Sequence, residues 1–510
     1  MPGYTRRRFI GVTSAGVAAA FGGASVSARP RRQPHVLLLM ADQFRADCLG
    51  AAGHRCVHTP NLDRIARDGI LCDRAYSSTP SCTPARSGLL TGLSPWHHGM
   101  LGYGQVAVRH DNELPRMMRE AGYYTLGVGK MHWHLQRNLH GFHQTVLDES
   151  GRVESPDFES DYRKWFREVA PGRDPDATGI GWNDHRAAPY ALPEHLHPTR
   201  WAGDRAVEFL QGYEAEHPFF LKVSFARPHS PYDPPRRFLD RYADADIPGA
   251  YVGDWAEPNA MRGHEPFRDD LARGDLGPEV VRRSRQGYYG SVAFIDEQIG
   301  RILDVLRTRG FLDDTLVLFT SDHGDMTGDH HLWRKTFAYE SSARIPMVVR
   351  WPEWLVAAER GRRVSKLTEL RDVLPTCLAA ATGSYDPLRF DGRSLLELAT
   401  GDTGEWRETL DLEHSTCYWA ENQWTGVTDG RFKYVYYAPT GQQQLFDLEA
   451  DPHELHDLSL DPESSALVAE WRARMVDTLS ERGEPYVVDG DLGIRPNAVL
   501  YSPSYPDAPA

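Results

Sequence analysis

Cysteine is scarce in this chain, with six in 510 residues and no C-x-x-C pair or Cys/His run. That excludes a disulfide-built scaffold and a finger-type structural zinc site. Positive charge is short as well. The 57 Lys and Arg residues are outnumbered by 71 Asp and Glu, giving a net charge of −14 at pH 7, whereas a nucleic-acid-binding face needs clustered Lys and Arg. Long apolar runs are missing too: nothing reaches the ~20 strongly apolar residues of a stable membrane span. What is present is globular material, 41% hydrophobic, sufficient for a substantial core and for two or three domains.

Residues 1–28 read as an address. Thr5-Arg6-Arg7-Arg8-Phe9-Ile10 precedes a mildly apolar run from Phe9 to Phe21, and Val26-Ser27-Ala28 closes it in an Ala-x-Ala-like way. The segment resembles a twin-arginine export signal. The resemblance implies transport of the folded protein by the twin-arginine export machinery to a periplasmic or secreted location in a bacterium. Site chemistry would then be completed in the reducing cytoplasm, and loss of the segment removes three arginines and no acid, leaving −17.

Short continuous apolar runs at His35–Met40, Tyr124–Val128, Phe219–Phe225, Thr315–Thr320 and Ile345–Trp351 predict buried strands. Helical patterns lie between them at Leu114–Ala121, Trp201–Gly212 and Val292–Leu306. Alternation of this kind predicts an α/β fold with a large, mostly parallel or mixed sheet sandwiched by helices. Ligands of such sheets bind beyond the carboxyl ends of the strands, and four polar clusters fall there: Asp42-Gln43, Gly129-Lys130-Met131-His132, Arg227-Pro228-His229-Ser230-Pro231 and Ser321-Asp322-His323-Gly324-Asp325. Singly, such clusters serve equally well as helix caps or turns. Together, Asp42, Gln43, Asp322 and His323 can hold one divalent cation. Carboxylate and amide oxygens favour Ca²⁺ or Mg²⁺, and the imidazole leaves Mn²⁺ or Zn²⁺ open. Among the other histidines, His97, His98 and His140 read as surface or structural.

Thr83 as N-cap and Pro84 at the first helical position predict a helix start just after Cys82. A cysteine before a helix N-terminus is either a nucleophile or anion-site residue or an inert buried thiol. Cys82-Thr83-Pro84-Ala85-Arg86, continued by Ser87-Gly88-Leu89-Leu90-Thr91-Gly92, resembles the C-x-P-x-R signature of the type I sulfatases. The similarity includes Asp42-Gln43, Thr59-Pro60-Asn61-Leu62-Asp63, Gly129-Lys130-Met131-His132 and Pro228-His229-Ser230-Pro231. It continues through Asp322-His323-Gly324, Lys335, Tyr339-Glu340, Arg344-Ile345-Pro346, Gly430–Tyr434 and Gln444–Glu449.

The resemblance implies an alkaline phosphatase-like fold, a sulfuric ester hydrolase activity on an aryl or carbohydrate sulfate, and oxidation of Cys82 to formylglycine by a formylglycine-generating enzyme. It implies that one hydroxyl of the hydrated aldehyde attacks sulfur, and that the other then loses its proton so that sulfate is expelled. It assigns Asp42, Gln43, Asp322, His323 and the modified Cys82 to one divalent cation, calcium first. Arg86 would hold the diol, Lys130 and His132 would stand beside it as charge stabiliser and proton acceptor, and His229 and Lys335 would grip the sulfate. Two positions depart from the commonest pattern, Gln43 for Asp and His323 for Asn, and related patterns occur in phosphonate monoester hydrolases. A formylglycine-dependent phosphonate monoester or phosphodiester hydrolase is therefore the alternative, and a catalytically silent sulfated-glycan-binding protein the second.

Residues 34–404 are expected to form the catalytic domain and 405–510 a smaller α+β subdomain with an antiparallel hairpin, a helix near 463–481 and an irregular tail. Residues 150–200, with Trp165, Trp182-Asn183-Asp184-His185-Arg186 and His195-Leu196-His197, read as an insertion facing substrate, Arg186 being the expected sugar contact. The five remaining cysteines, an odd number, cannot all pair within one chain.

Overall fold

Strand β1 (His35–Asp42) lies near the middle of the main sheet, and its sequence shows why. Val36, Leu38 and Met40 belong to one apolar cluster and Leu37, Leu39 and Ala41 to another. Both faces are therefore covered, which is why the run is continuous rather than alternating. The computed structural model describes residues 32–149, 158–214, 216–261, 270–401, 404 and 406–506; the expected export signal lies outside them.

Around β1 are β2 (Ile70–Tyr76), β3 (Tyr124–Gly129), β4 (Gln144–Leu147), β5 (Phe219–Pro228), β6 (Thr315–Ser321), β7 (Met347–Arg350) and β8 (Arg362–Glu369). Their order is β4-β3-β5-β1-β6-β7-β2-β8, with β7 antiparallel to both its neighbours and every other pairing parallel. The mixed, mostly parallel sheet expected from the sequence is present. Helix α1 (Cys82–Thr91), which carries the C-x-P-x-R motif, and α4 (Val373–Thr382) cover one face; α2 (Pro198–Gly212) and α3 (Pro278–Thr308) cover the other.

Some boundaries differ. Helix α1 begins at Cys82 with Ser81 as N-cap, so Thr83 and Pro84 lie inside its first turn, where a missing N–H deprives no intrahelical bond. Helix α3 runs 31 residues because its polar first half packs on loops that its apolar periodicity does not register. The fifth strand candidate shortens to Met347–Arg350.

A second, antiparallel sheet is formed by β9 (Leu410–His414), β10 (Trp424–Thr428), β11 (Phe432–Tyr437) and β12 (Gln442–Asp447), in the order β12-β11-β10-β9. Helix α5 (Ser465–Leu479) covers it with Val468, Trp471, Met475 and Leu479. The described residues from Pro34 onward pack as one unit. The tail turns back: Leu101 N donates to Leu500 O, Gln105 N to the Tyr501 hydroxyl, and the Tyr505 hydroxyl to Gln105 O. All six cysteines are free thiols.

Candidate active site

Parallel strands release their polar residues at one edge, and β1 and β6 are neighbours in that edge. Asp42 ends β1 and Asp322 follows β6 directly. Helix α1 brings Cys82 between them: its Sγ lies 3.8 Å from Asp42 Oδ1, 3.3 Å from His323 Nε2 and 3.0 Å from Lys335 Nζ. One turn along, Arg86 spans both acids, Nε at 2.9 Å from Asp322 Oδ2 and Nη2 at 3.1 Å from Asp42 Oδ2. Its Nη1 donates to Lys130 O and to Ser224 Oγ. Lys130 Nζ reaches Asp42 Oδ2 at 2.6 Å. The cluster is almost wholly buried, with Cys82 and Arg86 each 1% exposed and Asp42, Gln43, Asp322 and His323 at 0%.

His229 joins through the backbone, its N–H donating to Asp42 O. Its Nδ1 pairs with Ser230 O at 2.8 Å, which leaves Nε2 for the pocket. His132 sits in left-handed backbone, φ 64, held by Glu149 Oε1 on its own N–H and that of Met131, and the Tyr103 hydroxyl lies 3.4 Å from its Nε2. Asp42, Gln43, Cys82, Arg86, Lys130, His229, Asp322, His323 and Lys335 thus fall in one cluster, and His132 lies two residues along the chain from Lys130. Glu149, Ser224, Tyr103 and His414, whose Nε2 lies 2.8 Å from Ser81 Oγ, were not singled out; isolated polar residues far apart in sequence carry no periodic or motif signal. In the insertion, Trp182 meets the site, its ring 5.6 Å from that of His229. Arg186 instead is tied to Asp184, with Nε 2.9 Å from Oδ2.

Electrostatics follow from this crowding. Burial and Asp42 push the Cys82 thiol up, but Lys335, Lys130 and His323 outweigh them and bring it to about 7. Burial works against Asp42 ionising, yet Lys130, His229, Arg86 and Lys335 hold it well below the usual carboxylate range. Lys335, despite the penalty of burial, is held above the usual ammonium range by Cys82 and Asp42. Arg86 and Lys335 therefore stay charged, where a bound anion would replace Cys82 as a partner, whereas burial and Lys335 hold His229 well below the usual imidazole range.

One donor atom from each of Asp42, Cys82, Asp322 and His323 lies within 4.8 Å of the others. His323 Nδ1 pairs with Gly324 O, so Nε2 is the ligating nitrogen. Gln43 Oε1 is buried and has no hydrogen-bond partner. Two carboxylates, an imidazole and an orphaned amide oxygen suit one divalent cation.

A mixed sheet with Cys82 at a helix N-terminus, a metal-type donor set and buried cations at its edge is the arrangement expected of an alkaline phosphatase-like hydrolase. The family model described as Sulfatase matches residues 34–384, and that described as N-sulphoglucosamine sulphohydrolase, C-terminal, matches 328–481. The chain belongs to the sulfatase family, whose members are sulfuric ester hydrolases. It is 38% identical to an arylsulfatase of Clostridium perfringens over 90% of this chain and 97% of the relative. It is 32% identical to a choline-sulfatase of Rhizobium meliloti over 84% and 83%. The solved phosphonate monoester hydrolase of Agrobacterium radiobacter superimposes with a TM-score of 0.75 at 28% identity, covering 91% of this chain and 100% of that one.

Proposed function

We propose that this protein hydrolyses the sulfate ester of a phenol or a sugar to alcohol and sulfate, using formylglycine made from Cys82 and one divalent cation, calcium first. The observation that carries the reading is the position of Cys82 Sγ, 3.0 Å from Lys335 Nζ and 3.3 Å from His323 Nε2. Sulfur stands there for the oxygen of the modified residue. Hydrated formylglycine supplies an oxygen nucleophile with a second hydroxyl, which a serine lacks. The cation, held by Asp42, Gln43, Asp322, His323 and the modified residue, supplies Lewis acidity that makes such a hydroxyl nucleophilic at neutral pH.

The chain's own residues do the rest. Arg86 fixes the two carboxylates at a set separation and leaves neither free to rotate away. Lys130 neutralises Asp42 on the side away from His323, and with Lys335 it places two ammonium groups where negative charge gathers on non-bridging oxygens. His229, whose Nδ1–H donates to Ser230 O and whose imidazole is held well below its usual pKa by burial and by Lys335, presents an unprotonated Nε2 to the pocket and would pass a proton to the departing alcohol only after gaining one there; Lys335 Nζ, held in its ammonium form, is the donor of the pair. His132, oriented by Glu149, is the proton acceptor on the opposite side. Trp182 against His229 and Tyr103 against His132 give the mouth two aromatic walls, suited to a phenyl or pyranose ring. The segment 405–510 acts as a subdomain that buttresses this rim.

The maturation partners on this reading are a formylglycine-generating enzyme and the twin-arginine export machinery, with a periplasmic or secreted destination. No helix among the described residues is long and apolar enough to cross a membrane.

A second reading, a phosphonate monoester or phosphodiester hydrolase, is favoured by the Gln43 and His323 pair together with the structural likeness to a phosphonate monoester hydrolase. The deciding experiment compares matched aryl sulfate and aryl phosphonate monoesters on one preparation, alongside mass analysis of the tryptic peptide Ala75 to Arg86. Preferred sulfate turnover with modified Cys82 is expected. Preferred phosphonate turnover would replace the sulfatase reading, and unmodified Cys82 in protein from the native host would favour a silent sulfated-glycan-binding protein.

A further inference from the structure

Gln43 is the residue of this site whose side chain needs an explanation. It is fully buried in left-handed backbone at φ 67. Its own N–H donates to Asp322 Oδ1 and its carbonyl accepts from the Tyr288 hydroxyl, so the backbone is fixed on both sides. An amide has two chemically opposite ends, and a half-turn about its last bond would present NH₂ instead of oxygen to the ion. Nothing within Gln43 prevents that half-turn.

Asp325 does. Gln43 Nε2 donates to Asp325 Oδ2 at 2.5 Å, and the Tyr232 hydroxyl donates to the same oxygen at 2.6 Å. Oδ1 is occupied by the backbone N–H groups of Thr327 and Arg334, at 3.0 and 3.1 Å. Four donors hold a fully buried carboxylate in one orientation. A carboxylate so placed accepts only N–H from Gln43, so the amide oxygen is turned the other way, where it is buried without a partner.

The geometry points to Asp325 as a positioning residue for the metal site: it locks the Gln43 amide with Oε1 toward the cation. The anion absent at position 43 is present one hydrogen bond further out. This inference rests on the proposed cation site, and it adds a prediction that the site alone does not make. In Asp325→Asn, Oδ1 still accepts from Thr327 and Arg334, which turns the new NH₂ group onto Gln43. Two NH₂ groups then face each other, and Gln43 must flip its nitrogen toward the ion. Adding Gln43→Glu restores the match, since the amide introduced at position 325 can donate to one carboxylate oxygen and to the Tyr232 oxygen, leaving the other carboxylate oxygen for the metal.

The test strips the full-length protein with a chelator and titrates Ca²⁺ and Mn²⁺ by calorimetry, with melting of the metal-free protein as the folding control. D325N is expected to weaken cation affinity by about 10- to 100-fold, the scale of lost outer-sphere support, and Q43E/D325N to recover most of it. Unimpaired binding by D325N would overturn the inference. So would a double variant that melts like wild type yet binds no better than D325N, since the exchange keeps the contact to Tyr232, with its direction reversed. Wild-type protein that takes up neither cation would overturn the cation site itself, and the inference with it, whereas the other adverse outcomes leave the cation site standing.

Discussion

On the proposed reading activity depends on Cys82, and its neighbours make the dependence specific. Cys82→Ser keeps a hydroxyl on the helix but provides one hydroxyl rather than two, so steady-state turnover is expected to fall by about 10³-fold or more, read as loss of aryl sulfate hydrolysis in protein whose melting is unchanged. Trp182 tests the mouth. Removing one aromatic wall forfeits about 0.5–1.5 kcal/mol of ring contact, so Trp182→Ala is expected to raise KM for an aryl sulfate a few-fold to about tenfold with kcat little changed. A kcat loss without a KM change would show that Trp182 acts only by holding His229. These residues differ in how they could be found. Asp42, Lys130, His229 and Asp322 each follow a strand and advertise themselves by interrupting an apolar run. Trp182 stood in a segment legible only as an insertion, and the sequence pointed to Arg186, whose charge is satisfied by Asp184 two residues away.

Elements were legible in proportion to their apolar periodicity. β1 and β6, buried on both faces, were read nearly to the residue. The start of α3 was not, because its first turns carry Arg282, Arg283, Arg285 and Gln286, which bind loop carbonyls and acids rather than apolar neighbours. Later in α3, Asp296 receives the N–H groups of Asn61 and Leu62 and so joins this helix to helix Pro60–Arg67. Burial outweighs those bonds and pushes its carboxyl up to about 6 from 3.8. The folded state therefore binds this proton more tightly than the unfolded chain, and the stability it contributes is present below pH 4 and lost as pH rises through 6. Urea denaturation between pH 4 and 7 is expected to show wild type losing up to about 3 kcal/mol relative to Asp296→Asn over that window. A constant difference would refute it. The tail is a second element-scale case: deleting residues 499–510 removes Tyr501 and Tyr505 from the loop at 99–105. A loss of about 2–4 kcal/mol of stability is expected for two largely buried aromatics, with protease cleavage appearing at that loop.

At the scale of the molecule, charge and site have opposite signs. The chain carries −14 overall, yet Arg86, Lys130 and Lys335 converge in one buried pocket. A small aryl sulfate meets chiefly the pocket, whereas a sulfated polymer also meets the surrounding field. Raising salt from about 10 to 200 mM shortens the reach of that repulsion several-fold. The expected outcome is a rise in kcat/KM for a sulfated oligosaccharide with salt and a flat profile for a monovalent aryl sulfate; a fall for the oligosaccharide would reveal a basic groove at the rim.

Cys82 also has a place in time. The groups that enclose it are made long after it: His323 follows by 241 residues, Lys335 by 253, and His414, which meets Ser81, follows that serine by 333. At roughly 5–20 residues per second of synthesis, the thiol waits on the order of 10 to 60 seconds before its final neighbours exist. Once they arrive it is 1% exposed. On the proposed maturation, connectivity sets a clock: an enzyme that modified this thiol would have until closure of the site to finish, so slower elongation should raise the modified fraction and faster folding should lower it.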